Sequence, residues 1–242
     1  MPPNRFLFRM THYRNLQTYL SSGYLFAKNS PNVQAGYRIS YEAIDSKRGT
    51  PQFTTPCGAT VNDFVPFYFS PSTKMSFSIH MRRVPLRQPN GSLLGQVDLG
   101  DVALLVVSPD VLFQSGRQCW FTDIACNSGI PPRYCSEPEQ LGAHIEWALF
   151  DEFGFNNRDR MAEIDEIGYA GVCKWQQDKD EPERYRMRSK KRMAEFMVKD
   201  YLQMNEVSCI ILKNSTHLDD LQAWVNVSGL HIPVYVKPGC YF

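Results

Sequence analysis

Three short apolar runs, none longer than a strand, limit what this 242-residue chain can become. Val102–Val107 has no polar side chain, and Cys209, Ile210, Ile211 and Leu212 centre a second run from Glu206 to Lys213. Asp63–Phe69 is a third, rich in aromatics and carrying Pro66. Apolar runs of this length between turn signals read as core strands. Phe6–Met10, Trp120–Ile124 and Ile232–Val236 are shorter strand candidates. Helices are expected at His12–Ser21, with Thr11 as its cap and Gly23 as its stop, and at Ser40–Lys47, ended by Gly49 and Pro51. Others are expected at Lys74–Arg83, from Pro109, at Pro138–Glu152, and from Ser215 or Thr216 to about Val227. Strands and helices do not alternate strictly, which argues an α+β fold.

The length suits one large domain over residues 1–242, and the composition, 43% hydrophobic and 13% aromatic, suits a sizeable core. A mean hydropathy of -0.36 and the lack of a long apolar run exclude a membrane-embedded protein. Met1–Met10 lacks the features of a secretory signal, so the expectation is a cytoplasmic protein without a membrane partner. Net charge is +1, so any contact with nucleic acid must come from local patches. The seven cysteines are odd in number and form no Cys-x-x-Cys pair, which favours reduced packing cysteines over disulfides or zinc. No glycine-rich dinucleotide fingerprint, Walker loop, zinc-protease motif or serine-hydrolase elbow is present.

One segment concentrates chemistry. Arg188, Lys190, Lys191 and Arg192 form a dense basic cluster, followed at once by Glu195 and the apolar Phe196, Met197 and Val198. Such a cluster attracts phosphate. A carboxylate where a buried strand begins is a candidate for reaction on what the cluster holds. The alternative is a solvated charged turn. Three further features stand out. Arg9, Thr11 and His12 lie where strand gives way to helix, a natural anion site. Arg48 closes a helix, where it also complements the dipole. Tyr68 alternates with Phe67 and Phe69 and so can face a pocket while they pack.

These pieces, in this order, resemble the DarT family of toxins, ADP-ribosyltransferases that attach ADP-ribose from NAD to bases of single-stranded DNA. The resemblance rests on Phe8–Leu16, Ser22–Leu25, Ile44–Arg48, Asn62–Pro71 with Lys74 and Met75, and Ala194–Val198, and spans about residues 6 to 200. Arg9 departs from the histidine that family members often carry there. Phe121–Asn127 matches only loosely, which leaves the modified base open between thymine and guanine.

The resemblance implies a single-domain ADP-ribosyltransferase fold with a central split, mixed and largely antiparallel sheet flanked by helices. It implies NAD as co-substrate and no metal. Glu195 and Arg48 would be catalytic. Arg9, Thr11, His12, Asn15, Gly23, Tyr68 and Met75 would bind NAD. A substrate-recognition loop would cover about residues 156–190. Lys190, Lys191 and Arg192 would hold the DNA backbone, with Tyr169, Trp175 or Tyr185 stacking on bases. A macrodomain antitoxin of the DarG type is the implied protein partner. The same fold acting on RNA, and a non-catalytic nucleic-acid-binding module, remain alternatives. A metal nuclease has Asp151, Glu152, Asp165 and Glu166 available, but their spacing fits no specific metal site.

Overall fold

The computed structural model describes residues 5–151, 162–171 and 187–242. Its strands are β1 (Leu7–His12), β2 (Tyr24–Phe26), β3 (Phe64–Tyr68), β4 (Pro85–Arg87), β5 (Leu93–Gln96), β6 (Val102–Val107), β7 (Cys119–Thr122), β8 (Tyr134–Cys135), β9 (Glu195–Lys199), β10 (Tyr201–Gln203), β11 (Val207–Leu212) and β12 (Val234–Val236). Its helices are α1 (Asn15–Ser22), α2 (Glu42–Arg48), α3 (Lys74–His80), α4 (Pro109–Gln114), α5 (Leu141–His144), α6 (Ala148–Asp151), α7 (Arg188–Lys191) and α8 (Leu218–Ser228).

Eight strands form one sheet in the order β12-β11-β6-β1-β3-β9-β7-β8. Only β11 and β12 pair in parallel; the other neighbours are antiparallel. The α+β class expected from the sequence is what the chain adopts. β6 sits between β1 and β11 with every residue buried, which is why Val102–Val107 needs no polar alternation.

The sheet is split. β1 pairs with β6 along its whole length and β3 pairs with β9 along its whole length, but β1 and β3 meet only at Phe8↔Tyr68. Pro66 has no N–H to offer a ladder at the seam. Its carbonyl instead accepts a hydrogen bond from Arg9 Nη1 at 2.9 Å. Beyond Phe8 and Tyr68 the two halves part and leave a cleft.

Several local expectations are corrected. β1 runs through His12, because His12 pairs with Val102, and α1 begins only at Asn15. Thr11 is therefore a strand residue and caps nothing. Its Oγ1 accepts from Asn15 Nδ2 at 3.2 Å. The expected long helix over Pro138–Glu152 is a 3-10 turn followed by α5 and α6, because the chain extends at Ile145 to bury Ile145 and Trp147. Neither Ser215 nor Thr216 caps α8; Asn214 Oδ1 accepts from Thr216 N–H and starts a 3-10 turn ahead of it. Among the described residues no helix is long and apolar enough to cross a membrane.

Candidate active site

Glu195 opens β9 opposite Tyr68, and Tyr68 is also the residue that meets Phe8. Directly opposed residues of an antiparallel pair share one face of the sheet. The register alone therefore sets Glu195 and Tyr68 side by side at the end of the seam, with Phe67 and Phe196 packed on the other face.

Glu195 is 1% exposed, and its carboxylate is fully engaged. Arg48 Nη1 donates to Oε1 at 3.1 Å and Nη2 to Oε2 at 2.5 Å. The backbone N–H of Cys126 adds a third bond to Oε1 at 2.9 Å. Its own backbone N–H donates to Thr122 Oγ1 at 3.2 Å, tying β9 to β7 at the site. A two-pronged arginine–carboxylate pair of this kind is both strong and geometrically specific.

Arg48 comes from α2, which is itself fixed. Asn62 Nδ2 donates to the Asp45 carbonyl at 2.8 Å, and a side chain at Gly49 would strike Asn62 Nδ2 at 2.9 Å. Burial opposes the charge on Arg48, but the Glu195 carboxylate outweighs it and holds the guanidinium pKa above its ordinary value. Burial, reinforced by Glu195, pushes the Tyr68 phenol up as well. Tyr68 is neutral and Arg48 charged at any physiological pH.

A cavity of about 980 Å3 opens in the split, walled by Arg9, Met10 and Thr11 of β1 and by Phe64, Val65, Pro66 and Tyr68 of β3. That is the upper end of the size usual for ligand sites, roughly 300–1,000 Å3. Its lining includes seven lysines and arginines but only Glu42 and Asp45 as acids, and both acids are already paired, with Arg87 and Lys28. Ser40 Oγ also donates to Asp45. Arg9 is half-buried, and burial lowers its pKa. Among the described residues it has no carboxylate partner, so its guanidinium is open to an anionic ligand. A cavity with this charge and an uncompensated arginine suits a phosphate-bearing ligand.

The structure brings together Arg9, Thr11, Asn15, Arg48, Tyr68 and Met75 on the cavity wall, with Glu195 directly behind Arg48. Asn15 also braces the cavity it lines. Its amide donates to Thr11 Oγ1 and to the Tyr37 carbonyl at 2.9 Å, and its Oδ1 accepts from Tyr37 N–H at 2.7 Å. It therefore locks the wall at Gly36 and Tyr37 onto α1. His12 is outside the lining, buried in a stack between Tyr13 and Tyr37. Gly23 is outside it too, and is the left-handed stop of α1 at φ +76°, its carbonyl accepting from Met204 N–H.

The basic cluster divides. Lys190 is exposed on the cavity rim. Lys191 is ion-paired with Glu146. Arg192 is fully buried, donating to Ser70 Oγ at 3.2 Å and lying over the Phe150 ring, and Arg188 is fully buried as well. Arg192 thus lies inside the protein, between Ser70 and Phe150. Tyr169 is also buried, edge-on to Phe6 and Phe8. Trp175, Tyr185 and most of the expected recognition loop lie outside the described residues.

Lys28, Asp45, Asn62, Thr122 and Cys126 are site residues that motif reading missed. Asn62 stood within a matched segment; Lys28 had no sequence signal at all. Among the described residues no group of acidic, histidine or cysteine side chains has metal-site geometry.

The model of the DarT family, described as ssDNA thymidine ADP-ribosyltransferase, matches residues 8–242. A DNA ADP-ribosyl transferase of Thermus sp. (strain 2.9) is 30% identical over 144 residues, 58% of this chain and 62% of that one. That match covers less than two thirds of the relative's length. A DNA ADP-ribosyl transferase of Escherichia coli O127:H6 (strain E2348/69 / EPEC) is 22% identical over 245 aligned positions, covering 100% of this chain and 95% of that one. Among solved structures, Thermus sp. 2.9 DarT in complex with ADP-ribosylated ssDNA superposes with a TM-score of 0.71 at 21% identity, covering 100% of this chain and 98% of that one. The NAD+ complex of the same protein gives 0.68 at 20%, with 100% and 99% covered. Thermosipho africanus DarTG in complex with ADP-ribose gives 0.62 at 17%, covering 98% of this chain and 51% of that one. At these identities the structural likeness establishes the shared fold.

Proposed function

The chain belongs to the DarT family of ssDNA thymidine ADP-ribosyltransferases, and from that membership we propose that it transfers ADP-ribose from NAD to the thymine of a thymidine in single-stranded DNA. The observation that carries the reading is the Arg48–Glu195 pair at the head of a split-sheet cavity rich in cations. Relatives named as DNA ADP-ribosyl transferases, one of them described with NAD+ and with ADP-ribosylated ssDNA, support the choice of NAD and single-stranded DNA.

The chemistry follows from the charges. The bond between the ribose C1′ and nicotinamide breaks, and its electron pair leaves with a neutral nicotinamide. Positive charge builds on the ribose at the end of the cavity where Arg48 meets Glu195, and the Glu195 carboxylate behind Arg48 is the group that offsets it. Preorganised charge of this kind contributes on the order of 3 kcal/mol. Arg9 holds the pyrophosphate, and Tyr68 and Met75 flank the nicotinamide ribose. A new bond forms from C1′ to the nitrogen of thymine that bears its only N–H, and the proton passes to water. Arg48 keeps its own proton because Glu195 raises its pKa. It therefore favours the deprotonated base electrostatically and does not accept the proton. A single strand presents a base without the cost of unpairing it.

Such a modification harms the cell that makes it. The chain is accordingly a toxin neutralised by a macrodomain antitoxin of the DarG type, a reading supported by family membership and by the DarTG neighbour. The deciding experiment is mass spectrometry of thymidine-containing and thymidine-free single strands after incubation with protein and NAD. One added ADP-ribose is expected on the thymidine strands alone, and none with Glu195→Ala. Modification of RNA only, or of strands without thymidine, would overturn the acceptor. NAD left intact with every strand would overturn the activity.

A further inference from the structure

Seven cations line the cavity, and three are neutralised within the protein: Lys28 by Asp45, Arg48 by Glu195 and Arg87 by Glu42. Among the described residues Arg9, Arg38, Lys74 and Lys190 form no ion pair. Arg9 is half-buried at the seam, bonded to the Pro66 carbonyl, in a position to meet a dinucleotide's pyrophosphate. The other three are exposed. A pyrophosphate brings two charges, too few for this surplus, and exposed lysines and arginines bordering a deep cavity are suited to a polyanion.

We propose that Arg38, Lys74 and Lys190 form a cationic rim that holds successive backbone phosphates of the acceptor strand while one base enters the cavity. The inference rests on the reading that the acceptor is single-stranded DNA, and names the part of the site that holds it. The three side chains stand on well-anchored backbone. Arg38 exchanges two backbone hydrogen bonds with Arg87, at 2.9 and 3.1 Å. Lys74 opens α3, whose start is fixed by reciprocal bonds between Thr73 and Ser76. Lys190 belongs to α7, five residues ahead of Glu195. The rim replaces the expected clamp of adjacent residues Lys190, Lys191 and Arg192 with three separated elements around one opening.

The test is the salt dependence of binding to a fluorescent thymidine-containing oligonucleotide, without NAD, for the wild type and for Arg38→Gln, Lys74→Gln and Lys190→Gln singly and together. Lys237→Gln, in an ion pair with Glu166 beyond β12, serves as the control. Each rim phosphate contact contributes about 0.7 to the slope of log affinity against log salt, so the triple variant should lose about 2 from that slope. NAD affinity, read by calorimetry, should stay within about twofold of the wild type, since the rim carries no pyrophosphate contact. An unchanged slope in the triple variant overturns the rim. So does a loss of NAD affinity in step with DNA affinity, which would assign the three cations to the dinucleotide. Transfer activity separates the two readings. Rim-dependent binding without transfer to any strand would sink the proposed activity and leave the rim standing. Transfer with a rim-independent slope would do the reverse.

Discussion

Arg48 and Glu195 depend on each other unequally. Without Arg48, Glu195 is a buried carboxylate with one backbone N–H for company. Breaking such a pair from the cationic side costs about 3–5 kcal/mol, because the remaining charge is stranded. Arg48→Ala should therefore lower stability by about 3 kcal/mol in urea unfolding, and Glu195→Gln added to it should restore part of the loss. Strictly additive effects would show the pair to be uncoupled. His12 makes a second prediction at this scale. Burial, helped by Arg14 and opposed by Asp101, lowers its pKa from 6.5 to about 4. An unfolded chain protonates this histidine near pH 6.5, whereas the native chain holds it neutral down to about pH 4. In that window the unfolded state binds more protons, so stability is full above pH 6.5 and falls as pH drops toward 4. The loss is on the order of 2 kcal/mol once residual hydration is allowed for. His12→Phe should flatten this part of the stability profile. An equally steep loss in the variant would assign the pH dependence to other groups. The same residue explains a limit of sequence reading. The ring stack around His12 has no signature in its neighbours along the chain, just as Arg192 looks solvated until Phe150 and Ser70 are in place.

At the scale of elements, the strands were legible because their signal is local. Val102–Val107 reads as a core strand from its own residues, and α3 has its caps within three positions. The failures share a different cause. α1 starts late because β6 extends β1, and α5 and α6 separate because Ile145 and Trp147 must both be buried; neither constraint lies in the local sequence. Glu195 was legible, since a lone carboxylate heading an apolar run is unusual. Its partners Cys126 and Thr122 come from another strand and its following turn, and only the sheet order brings them near. The corner between α1 and the cavity wall is a similar tertiary product. A Cβ at Gly36 would stand 2.8 Å from Asn15 Oδ1, closer than a carbon can sit to a non-bonded oxygen. Gly36→Ala must push the wall off α1, at a cost of about 1–3 kcal/mol. It should raise the KM for NAD more than it lowers kcat, because it moves the cavity wall rather than the Arg48–Glu195 pair. Gly23→Ala makes the contrast. It strains the left-handed stop of α1 by about 1 kcal/mol and should leave NAD affinity unchanged. A weakened NAD affinity in Gly23→Ala would return that glycine to the binding site.

For the molecule as a whole, the consequential feature is a sheet that is continuous by topology and nearly severed in hydrogen bonding. One half, from β12 to β1, and the other, from β3 to β8, each hold a complete internal ladder, and a single register pair joins them. The cavity occupies the place where the seam's remaining hydrogen bonds would have been, and its walls belong to both halves. A ligand seated there supplies the contacts that the seam lacks. Native-state hydrogen exchange should therefore find β3, β9 and β7 opening at lower free energy than β6 and β11 when NAD is absent. With NAD at about a hundred times its Kd, linkage raises the free energy of any opening that destroys the site by about 2.7 kcal/mol. Openings confined to one half destroy the site too, so they rise by the full amount and the β3–β9 amides should slow about a hundredfold. Arg9→Gln, which removes the guanidinium bridging the seam to Pro66, should weaken NAD binding and shrink this slowing at fixed NAD. If β3 and β6 already exchange at one free energy, or if NAD slows only the half that contains β1, the two halves are not coupled through the cavity and the seam is an ordinary irregularity of the sheet.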